Sequence, residues 1–308
     1  MERFIKVIIA GLDNAGKTSI LTAFDKKYNF HKEIISLTPT IRVEYQATEF
    51  LNNLLIFWDM GGQEQYRKLY QEKQELYFAD TDLLVYIIDI QDTKRIGTSL
   101  AYLDIILHNF KKHKMDVPLI ISFHKFDPEF RGNEEMGDQI EEIRENILKK
   151  YHSFKILFQQ TSIYDIISIV QLISYGLSVF DEKFFELSEL LEKYVKEFDS
   201  KSLIVFDKNG IIMSEFYNDV IEPEIYIELL ESIKEHLFLL KRMQEESFET
   251  DSTFSTIGNE LISYLHRIKL KEESLYVSVV MREKLKERFL EKVSDFLSDL
   301  TEILKTVL

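Results

Sequence analysis

Residues 4–18 read FIKVIIAGLDNAGKT, an apolar run that leads into a glycine-rich turn and then into helix-forming residues. The turn at 11–18 matches the pattern GxxxxGK[ST] between a strand and a helix, in which glycines let successive backbone N–H groups surround phosphates. Lys17 adds a positive charge, and the Thr18 hydroxyl can coordinate Mg²⁺. A plain glycine turn would not need Lys17 and Thr18 together, so the sequence predicts a phosphate-binding loop.

The composition sets limits on the rest of the chain. Its 308 residues are 45% hydrophobic, enough for two domains with cores, and they carry a formal net charge of −15. From residue 181 onward 28 Asp and Glu stand against 17 Lys and Arg. This acidic excess opposes binding of nucleic acid or an anionic membrane by the bulk surface, because both are polyanions.

Several targeting signals are missing from the sequence. The chain has no Cys, which excludes disulfides, thiolate metal sites and prenylation. Glu2 leaves no acceptor for myristoylation, and the strand that begins near Phe4 leaves no room for a signal peptide. We expect a cytoplasmic protein that reaches a membrane surface only through a partner.

Hydrophobic periodicity in the first 180 residues predicts a doubly wound α/β domain, in which a sheet is flanked by helices and binds its ligand at the carboxyl ends of the strands. Residues 41–49 and 54–59 read as a hairpin, so one edge strand should be antiparallel and the sheet mixed. The predicted strands are 3–10, 41–49, 54–59, 83–90, 118–124 and 154–160, and the predicted helices are 17–27, 64–78, 97–113, 135–151 and 164–179.

The segment WDMGGQE at residues 58–64 ends the third predicted strand. Asp59 can hold Mg²⁺ through water, the Gly62 N–H can reach a γ-phosphate, and Gln63 can orient an attacking water. The alternative is that Asp59 merely caps the following helix. The distance of this segment from the phosphate-binding loop favours the interpretation that Asp59 holds Mg²⁺.

Thr38-Pro39-Thr40 precedes the hairpin in a segment with little helical pattern. The Thr40 hydroxyl is suited to complete the Mg²⁺ shell when a γ-phosphate is present and to leave it after hydrolysis. Two threonines that flank a proline are also an ordinary loop signature.

The fifth predicted strand ends in His124-Lys125-Phe126-Asp127, and the sixth runs into Thr161-Ser162-Ile163. A carboxylate such as Asp127 can accept the N1–H and N2–H₂ donors of guanine, which adenine cannot supply. We expect the Lys125 stem to lie along the base and the Ser162 N–H to donate to guanine O6. A surface turn is the alternative, and a P-loop ATPase is disfavoured by Asp127.

With these motifs the first 180 residues resemble a Ras-superfamily small GTPase of the Rag/Gtr branch, with an Arf-like GLDNAGKT loop and an Arf-like WDMGGQE. The resemblance implies a switch that binds GTP or GDP with Mg²⁺. His124 departs from the usual asparagine, which affects nucleotide affinity more than the choice of guanine. The resemblance also implies catalytic roles for Gln63, Lys17 and Thr40, and metal ligation by Thr18, Thr40 and Asp59. The nucleotide contacts that it implies are Asp13, Asn14, Ala15, Gly16, Lys17, Thr18, Ser19, Thr40, Gly62, His124, Lys125, Asp127, Ser162 and Ile163.

Turnover depends on charge stabilisation, often by an arginine that a partner supplies. The two switch segments, expected to differ between the GTP and GDP forms, are residues 30–40 and 60–75. Arg42 and Arg67 are the arginines in or beside them, and both are expected to be ordinary surface charge. We therefore expect slow intrinsic hydrolysis that requires an activating protein, and an exchange factor to reload the nucleotide.

The second half, residues 181–308, reads as a separate domain that follows the junction Asp181-Glu182-Lys183 without a flexible linker. An Asn-Gly turn at 209–210 joins two strands, and Pro223 opens a long helix. The predicted order is helix 184–198, strands 202–207 and 211–217, helix 223–243, strands 252–257, 260–269 and 274–281, and helix 282–306.

That order resembles the roadblock/longin family, as in the C-terminal domain of Rag/Gtr proteins, and implies an identical or different roadblock-bearing partner. Helix 223–243 has a wide apolar face, which favours dimerisation over packing against the terminal helix of its own domain. His236 and His266 have no metal-like spacing and are expected to be structural. Two hypotheses remain: a regulated GTPase switch, which Gln63 favours, and a nucleotide-stabilised roadblock scaffold with little or no turnover.

Overall fold

A computed structural model describes residues 4–51, 53–178, 183–218, 223–257, 260–271 and 273–307. The chain folds into two compact units, the first containing residues 1–49 and 53–172 and the second residues 50–52 and 173–308. Each unit has its own sheet. The predicted junction at 181–182 lies outside the described residues, so the boundary between residues 180 and 181 stays a prediction.

The first unit contains a six-stranded sheet in the order β2-β3-β1-β4-β5-β6. β1 pairs in parallel with β3 and β4, and β5 pairs in parallel with β4 and β6. β2 lies at the edge and is joined to β3 by a connection too short for a parallel crossover, so this pair is antiparallel. The strands are β1 Phe4–Gly11, β2 Val43–Phe50, β3 Asn53–Met60, β4 Leu83–Asp89, β5 Leu119–His124 and β6 Ile156–Thr161.

Seven α-helices belong to the described part of this region, together with 3₁₀ turns at Thr93–Arg95 and Pro128–Phe130. The predicted helix 64–78 is two helices, because the backbone at Lys73 leaves the helical region (φ −118°, ψ 46°). The short helix α2 lacks buried residues and was not predicted. The helices are α1 Lys17–Lys26, α2 His31–Ser36, α3 Glu64–Glu72, α4 Gln74–Phe78, α5 Ile96–Lys112, α6 Glu134–Lys150 and α7 Ile166–Ser178.

The apolar runs of β1, β4 and β5 account for the core of the first unit. All six residues of β5 are buried, as are six of the seven in β4, which is typical of parallel strands covered on both faces. Phe110 on α5 packs edge-on against Phe78 on α4 at 6.1 Å between ring centroids. The sheet therefore holds the carboxyl ends of its parallel strands at one edge.

The second unit contains a five-stranded antiparallel sheet in the order β8-β7-β11-β10-β9. The order of helices and strands is the predicted one, and the final helix begins after a 3₁₀ turn at Glu283–Leu285. The elements are α8 Lys183–Phe198, β7 Ser202–Asp207, β8 Ile212–Tyr217, α9 Pro223–Glu245, β9 Ser252–Ile257, β10 Leu261–Leu270, β11 Glu273–Arg282 and α10 Lys286–Val307.

Helices cover both faces of this second sheet. Ser278 on β11 contacts His236 on α9, whereas Tyr264, which pairs with Val279, packs against Phe289 on α10 at 5.1 Å between centroids. Because neighbouring strand residues point to opposite faces, α9 and α10 lie on opposite sides.

Candidate nucleotide-binding site

The loop between β1 and α1 has the backbone of an anion-binding turn. Asn14 and Gly16 have positive φ values of 60° and 92°. A Cβ at Gly16 would lie 2.4 Å from Cδ2 of His124, so this position requires glycine for space as well as for conformation. Turns of this kind direct successive N–H groups into one concavity.

Lys17, the first residue of α1, is buried, and its ammonium donates to the carbonyl oxygen of Leu12 at 2.7 Å. Burial lowers the pKa of Lys17 to about 8, while Asp59 and Asp13 raise it. The side chain therefore crosses the loop and fixes a positive charge inside it.

Thr18, Thr40 and Asp59 come together from α1, the segment before β2, and β3. The Thr18 hydroxyl donates to Oδ2 of Asp59 at 2.5 Å and lies 2.9 Å from the Thr40 hydroxyl, which is 3.4 Å from the same Oδ2. Asp59 is 0% exposed, and its Oδ1 has no hydrogen-bond partner among the described residues. Burial raises its pKa.

An oxygen-only set with a buried acceptor that lacks a donor is suited to a hard divalent cation such as Mg²⁺. The residues present therefore fit the metal that the sequence motifs implied. The alternative that Asp59 merely caps the next helix fails, because Gln63 holds that position and Asp59 bonds to the two threonines.

The two predicted switch segments meet at the carbonyl oxygen of Arg42. It accepts from the Gly61 N–H at 2.6 Å and from the Tyr70 hydroxyl at 2.5 Å. Arg42 has a positive φ of 59° and an exposed side chain, and it precedes β2 instead of lying within it. The side chain thus agrees with ordinary surface charge, whereas its backbone has a specific contact.

Arg67 corrects the expectation of ordinary surface charge. Its Nε donates to the Gly62 carbonyl at 2.9 Å, and its guanidinium lies 5.4 Å from the centroid of the Tyr102 ring. Arg67 therefore braces the turn that carries Gly62 and Gln63. Neither contact was predictable from the position of Arg67 next to Lys68.

Gly62 lies directly against the phosphate-binding loop, since a Cβ there would be 2.2 Å from the Asp13 nitrogen. The loop and both switch segments enclose a cavity of about 310 Å³. Eight of the predicted site residues line it besides Gln63, and its lining is Asp13, Asn14, Gly16, Lys17, Thr18, Ser19, Leu37, Thr38, Pro39, Thr40, Gly62 and Gln63. Ala15 is buried and is not part of this lining.

The predicted base end lies at the carboxyl ends of β5 and β6. His124 is buried beside Gly16, and its Nδ1 lies 2.9 Å from the Thr161 hydroxyl, which lies 2.6 Å from that of Ser122. Burial, with a smaller contribution from the Lys125 charge, lowers the pKa of His124 to about 3. A neutral imidazole therefore connects the base end to the phosphate-binding loop.

Both oxygens of Asp127 accept hydrogen bonds within the protein. Oδ1 accepts from the Ser162 hydroxyl at 2.6 Å, and Oδ2 accepts from Nε2 of Gln91 at 3.0 Å. Nε2 of Gln91 also donates to the Lys125 carbonyl at 2.7 Å, and the Lys125 ammonium pairs with Asp89 at 2.6 Å. Gln91 thus holds the segment that carries Lys125 and Asp127.

The expectation for the Ser162 N–H needs correction. It donates to the Ser168 hydroxyl at 3.1 Å, because that side chain at the start of α7 lies within reach. The Ser162 hydroxyl instead contacts Asp127. No protein acceptor receives the Ile163 N–H in the described part of the chain.

Sequence reasoning missed Gln91 and Arg95, which follow β4. Arg95 bonds to Asp92 at 2.5 Å and to the Asp13 carboxylate at 3.1 Å, so it buttresses the phosphate-binding loop. One signal was available in the sequence: both residues follow the fourth predicted strand, and the predicted fold binds its ligand at the carboxyl ends of its strands.

The two histidines of the second unit make structural contacts. His236 is buried, with Nδ1 at 2.7 Å from the Ser278 hydroxyl, and His266 contacts the Tyr264 hydroxyl at 2.9 Å. The described residues contain no metal-ligand cluster of His, Cys, Asp and Glu. Among the helices that the structure describes, none is long and apolar enough to cross a membrane.

Several known proteins are similar in sequence to the N-terminal part of this chain. A profile of the ADP-ribosylation factor family matches residues 1–169. ADP-ribosylation factor-like protein 5 of Caenorhabditis elegans is 36% identical over 110 residues, which is 35% of this chain and 54% of that protein. ADP-ribosylation factor-like protein 3 of Chlamydomonas reinhardtii is 34% identical over 122 residues, which is 40% of this chain and 63% of that protein.

A solved structure, the Arl6 small GTPase of Trypanosoma brucei with a bound GppNp analogue, superimposes with a TM-score of 0.45 and 16% identity. The superposition covers 57% of this chain and 96% of the Arl6 chain. The chain spans about half to two thirds of the length of the curated relatives it matches. The profile match extends over more than half of the sequence, and the chain belongs to the ADP-ribosylation factor family of small GTPases.

Proposed function

We propose that this protein is a switch that binds GTP or GDP with Mg²⁺ and hydrolyses GTP slowly. The observation that carries the proposal is the group of Thr18, Thr40 and Asp59, in which Asp59 is buried and its Oδ1 has no hydrogen-bond partner among the described residues. It adjoins the cavity that Lys17 and Gln63 line.

At the phosphate end, Lys17 and the N–H groups of the loop bind the phosphates, and Gly62 N–H reaches the γ-phosphate. Gln63 orients the attacking water, and Asp13, Asn14, Ala15, Gly16 and Ser19 complete the loop. Thr18, Thr40 and Asp59 would hold the metal ion, which would neutralise charge on the phosphates. Loss of the γ-phosphate would release Thr40 and with it the segment before β2.

At the base end, Asp127 accepts the N1–H and N2–H₂ groups of guanine, and the Lys125 stem lies along the base. The Ile163 N–H, which has no described protein acceptor, takes the role at guanine O6, while the Ser162 hydroxyl orients Asp127. His124 braces Gly16 from the base side. An adenine ring would leave Asp127 without its donors, which disfavours ATP.

The second domain, residues 181–308, is proposed as a roadblock/longin-like dimerisation domain, as in Rag/Gtr proteins. The order of its elements supports this. In α9, Leu229, Ile233 and Leu237 are buried, whereas Tyr226 and Ile227 are 45% and 68% exposed and are available to an identical or different roadblock partner. The protein is proposed to be cytoplasmic and to reach membranes through partners, with an activating protein and an exchange factor as regulators.

The turnover of GTP separates the switch from its alternative, a nucleotide-stabilised scaffold with little or no turnover. We expect Gln63→Leu to slow single-turnover hydrolysis of bound GTP by about 10- to 100-fold without weakening GTP binding. The matched control is Gln71→Leu, because Gln71 lies on the helix that follows Gln63, does not line the cavity and makes no side-chain hydrogen bond among the described residues.

Equal and negligible hydrolysis rates in the wild type and in Gln63→Leu would contradict the GTPase hypothesis and favour the scaffold hypothesis. The mass of the complex in solution, measured together with its bound nucleotide, tests the dimer separately. A monomeric mass at all concentrations would contradict dimerisation and would leave the nucleotide switch intact.

A further inference from the structure

A second cavity of about 510 Å³ lies in the first unit and shares no lining residue with the nucleotide cleft. The last two turns of α5, the end of α6 and residues 151–154 form its walls, with Gln74 at the start of α4. α5 starts beside the phosphate-binding loop, and the cavity begins eight residues later, about 12 Å along the helix. We call it the basic cavity.

The charge around the basic cavity is opposite to that of the whole chain. The segments HNFKKHK at 108–114 and KKYHSFK at 149–155 contain six lysines and no acidic residue, in a chain of net charge −15. Three of the seven histidines of the chain lie in the same two segments. Such a local excess attracts an anionic partner against the field of the protein.

One ammonium of the lining, that of Lys111, is not neutralised by a neighbour among the described residues. Asp104 is the one carboxylate of the lining, and it accepts from the Lys150 ammonium and from the Tyr151 hydroxyl. His108, Lys111 and His152 also line the cavity, are exposed, and make no ion pair or side-chain hydrogen bond among the described residues.

An apolar surface lies among these charges. Leu107 is 0% exposed and Ile105 is 36% exposed, and the Phe154 ring packs edge-on against Tyr151 at 6.4 Å between centroids. An occupant therefore needs an apolar side chain for the interior and negative charges for the rim.

We propose that the basic cavity binds a segment of an acidic partner protein that inserts one aromatic or aliphatic side chain between carboxylates. The positive charge of Lys111, beside the exposed His108 and His152 rings, identifies the carboxylates, and the recess between α5 and residues 151–154 identifies the inserted side chain. A nucleic acid or a flat anionic membrane would use the charges without filling the apolar recess.

The test uses the full chain and a fluorescein-labelled peptide Glu-Glu-Phe-Glu-Glu, with fluorescence anisotropy at low ionic strength. We expect saturable binding that the double variant Lys111→Gln/His152→Gln weakens about five- to tenfold. Lys112→Gln is the matched control, because it removes the same charge from the next residue of α5, which does not line the cavity, and it should change affinity less than about twofold.

A peptide with alanine in place of phenylalanine should bind at least about fivefold more weakly, since the recess stays unfilled. Four results overturn the proposal: no saturable binding up to about 1 mM peptide, equal weakening by Lys112→Gln, equal affinity of the alanine peptide, or binding of phosphatidylserine vesicles in place of the peptide. Circular dichroism and melting temperature of each variant establish that it is folded.

Discussion

At the phosphate end of the nucleotide cleft, the Thr18 and Thr40 hydroxyls meet at Oδ2 of Asp59, whereas its buried Oδ1 has no hydrogen-bond partner among the described residues. At the base end, by contrast, both oxygens of Asp127 already accept hydrogen bonds from Ser162 and Gln91. The phosphate end thus keeps a buried carboxylate oxygen without a hydrogen bond, whereas the carboxylate at the base end has both oxygens hydrogen-bonded by protein side chains.

This difference indicates how a ligand contributes at each end. At the phosphate end a cation and phosphates would relieve a buried unpaired acceptor and bind a buried ammonium, so large changes in affinity are expected there. At the base end a guanine would share or replace existing hydrogen bonds of Asp127, so the net gain is smaller and the effect falls on selectivity.

The largest effect is expected from Lys17→Ala. It removes the buried ammonium that spans the loop, and we expect GTP and GDP affinity to fall by about 100-fold, because charge-assisted bonds to phosphate are lost. Lys26→Ala on the same helix is the control, since its side chain is 45% exposed. Isothermal titration calorimetry measures the nucleotide affinity of both variants. A loss of affinity below about threefold for Lys17→Ala would contradict the larger contribution expected from the phosphate end.

A smaller effect is expected at His124. Burial lowers its pKa to about 3, whereas an unfolded histidine titrates near 6.5. Between these values the unfolded chain binds a proton that the folded chain does not, so stability is lost as pH falls below about 6.5, by up to about 1.4 kcal/mol per pH unit. His124→Asn should remove that part of the pH dependence.

Urea unfolding at pH 7 and pH 5 tests this, with the fluorescence of Trp58, the single tryptophan, as the readout for the first unit. Asp59, whose raised pKa acts in the opposite direction, is the same in both proteins and cancels in the comparison. An identical loss of stability in His124→Asn would contradict a buried neutral histidine. His108→Asn, at an exposed histidine, should match the wild type.

The smallest effect is expected from Gln91→Leu, which removes the bonds to the Lys125 carbonyl and to Asp127. GDP affinity should fall about fivefold, and the preference for GDP over IDP, which lacks the 2-amino group, should narrow because Asp127 is oriented less firmly. Gln139→Leu on α6 is the control. If the ratio of GDP affinity to IDP affinity were unchanged in Gln91→Leu, Gln91 would not orient Asp127.

The sequence predicted most of the fold because strongly apolar strands and amphipathic helices have clear periods. It missed α2, which buries no residue, and the break at Lys73, which depends on backbone angles that no residue type dictates there. The motifs located Thr18, Asp59 and Asp127, since their spacing follows from strand ends. Individual hydrogen bonds in the site were not predictable, because they depend on how the elements pack against each other. The Ser162 N–H donates to the Ser168 hydroxyl, and Arg67 donates to the Gly62 carbonyl.

The Arg42 carbonyl links the two switch segments by hydrogen bonds. The ring of Tyr70 is 0% exposed, and its hydroxyl finds its acceptor on the segment that carries Thr40. If that segment moved alone, the buried hydroxyl and the Gly61 N–H would lose their acceptor in the same event, at a cost of about 1–3 kcal/mol for each buried group. We therefore expect the two segments to move together in the proposed switch, so that a partner bound to either segment would detect the state of both.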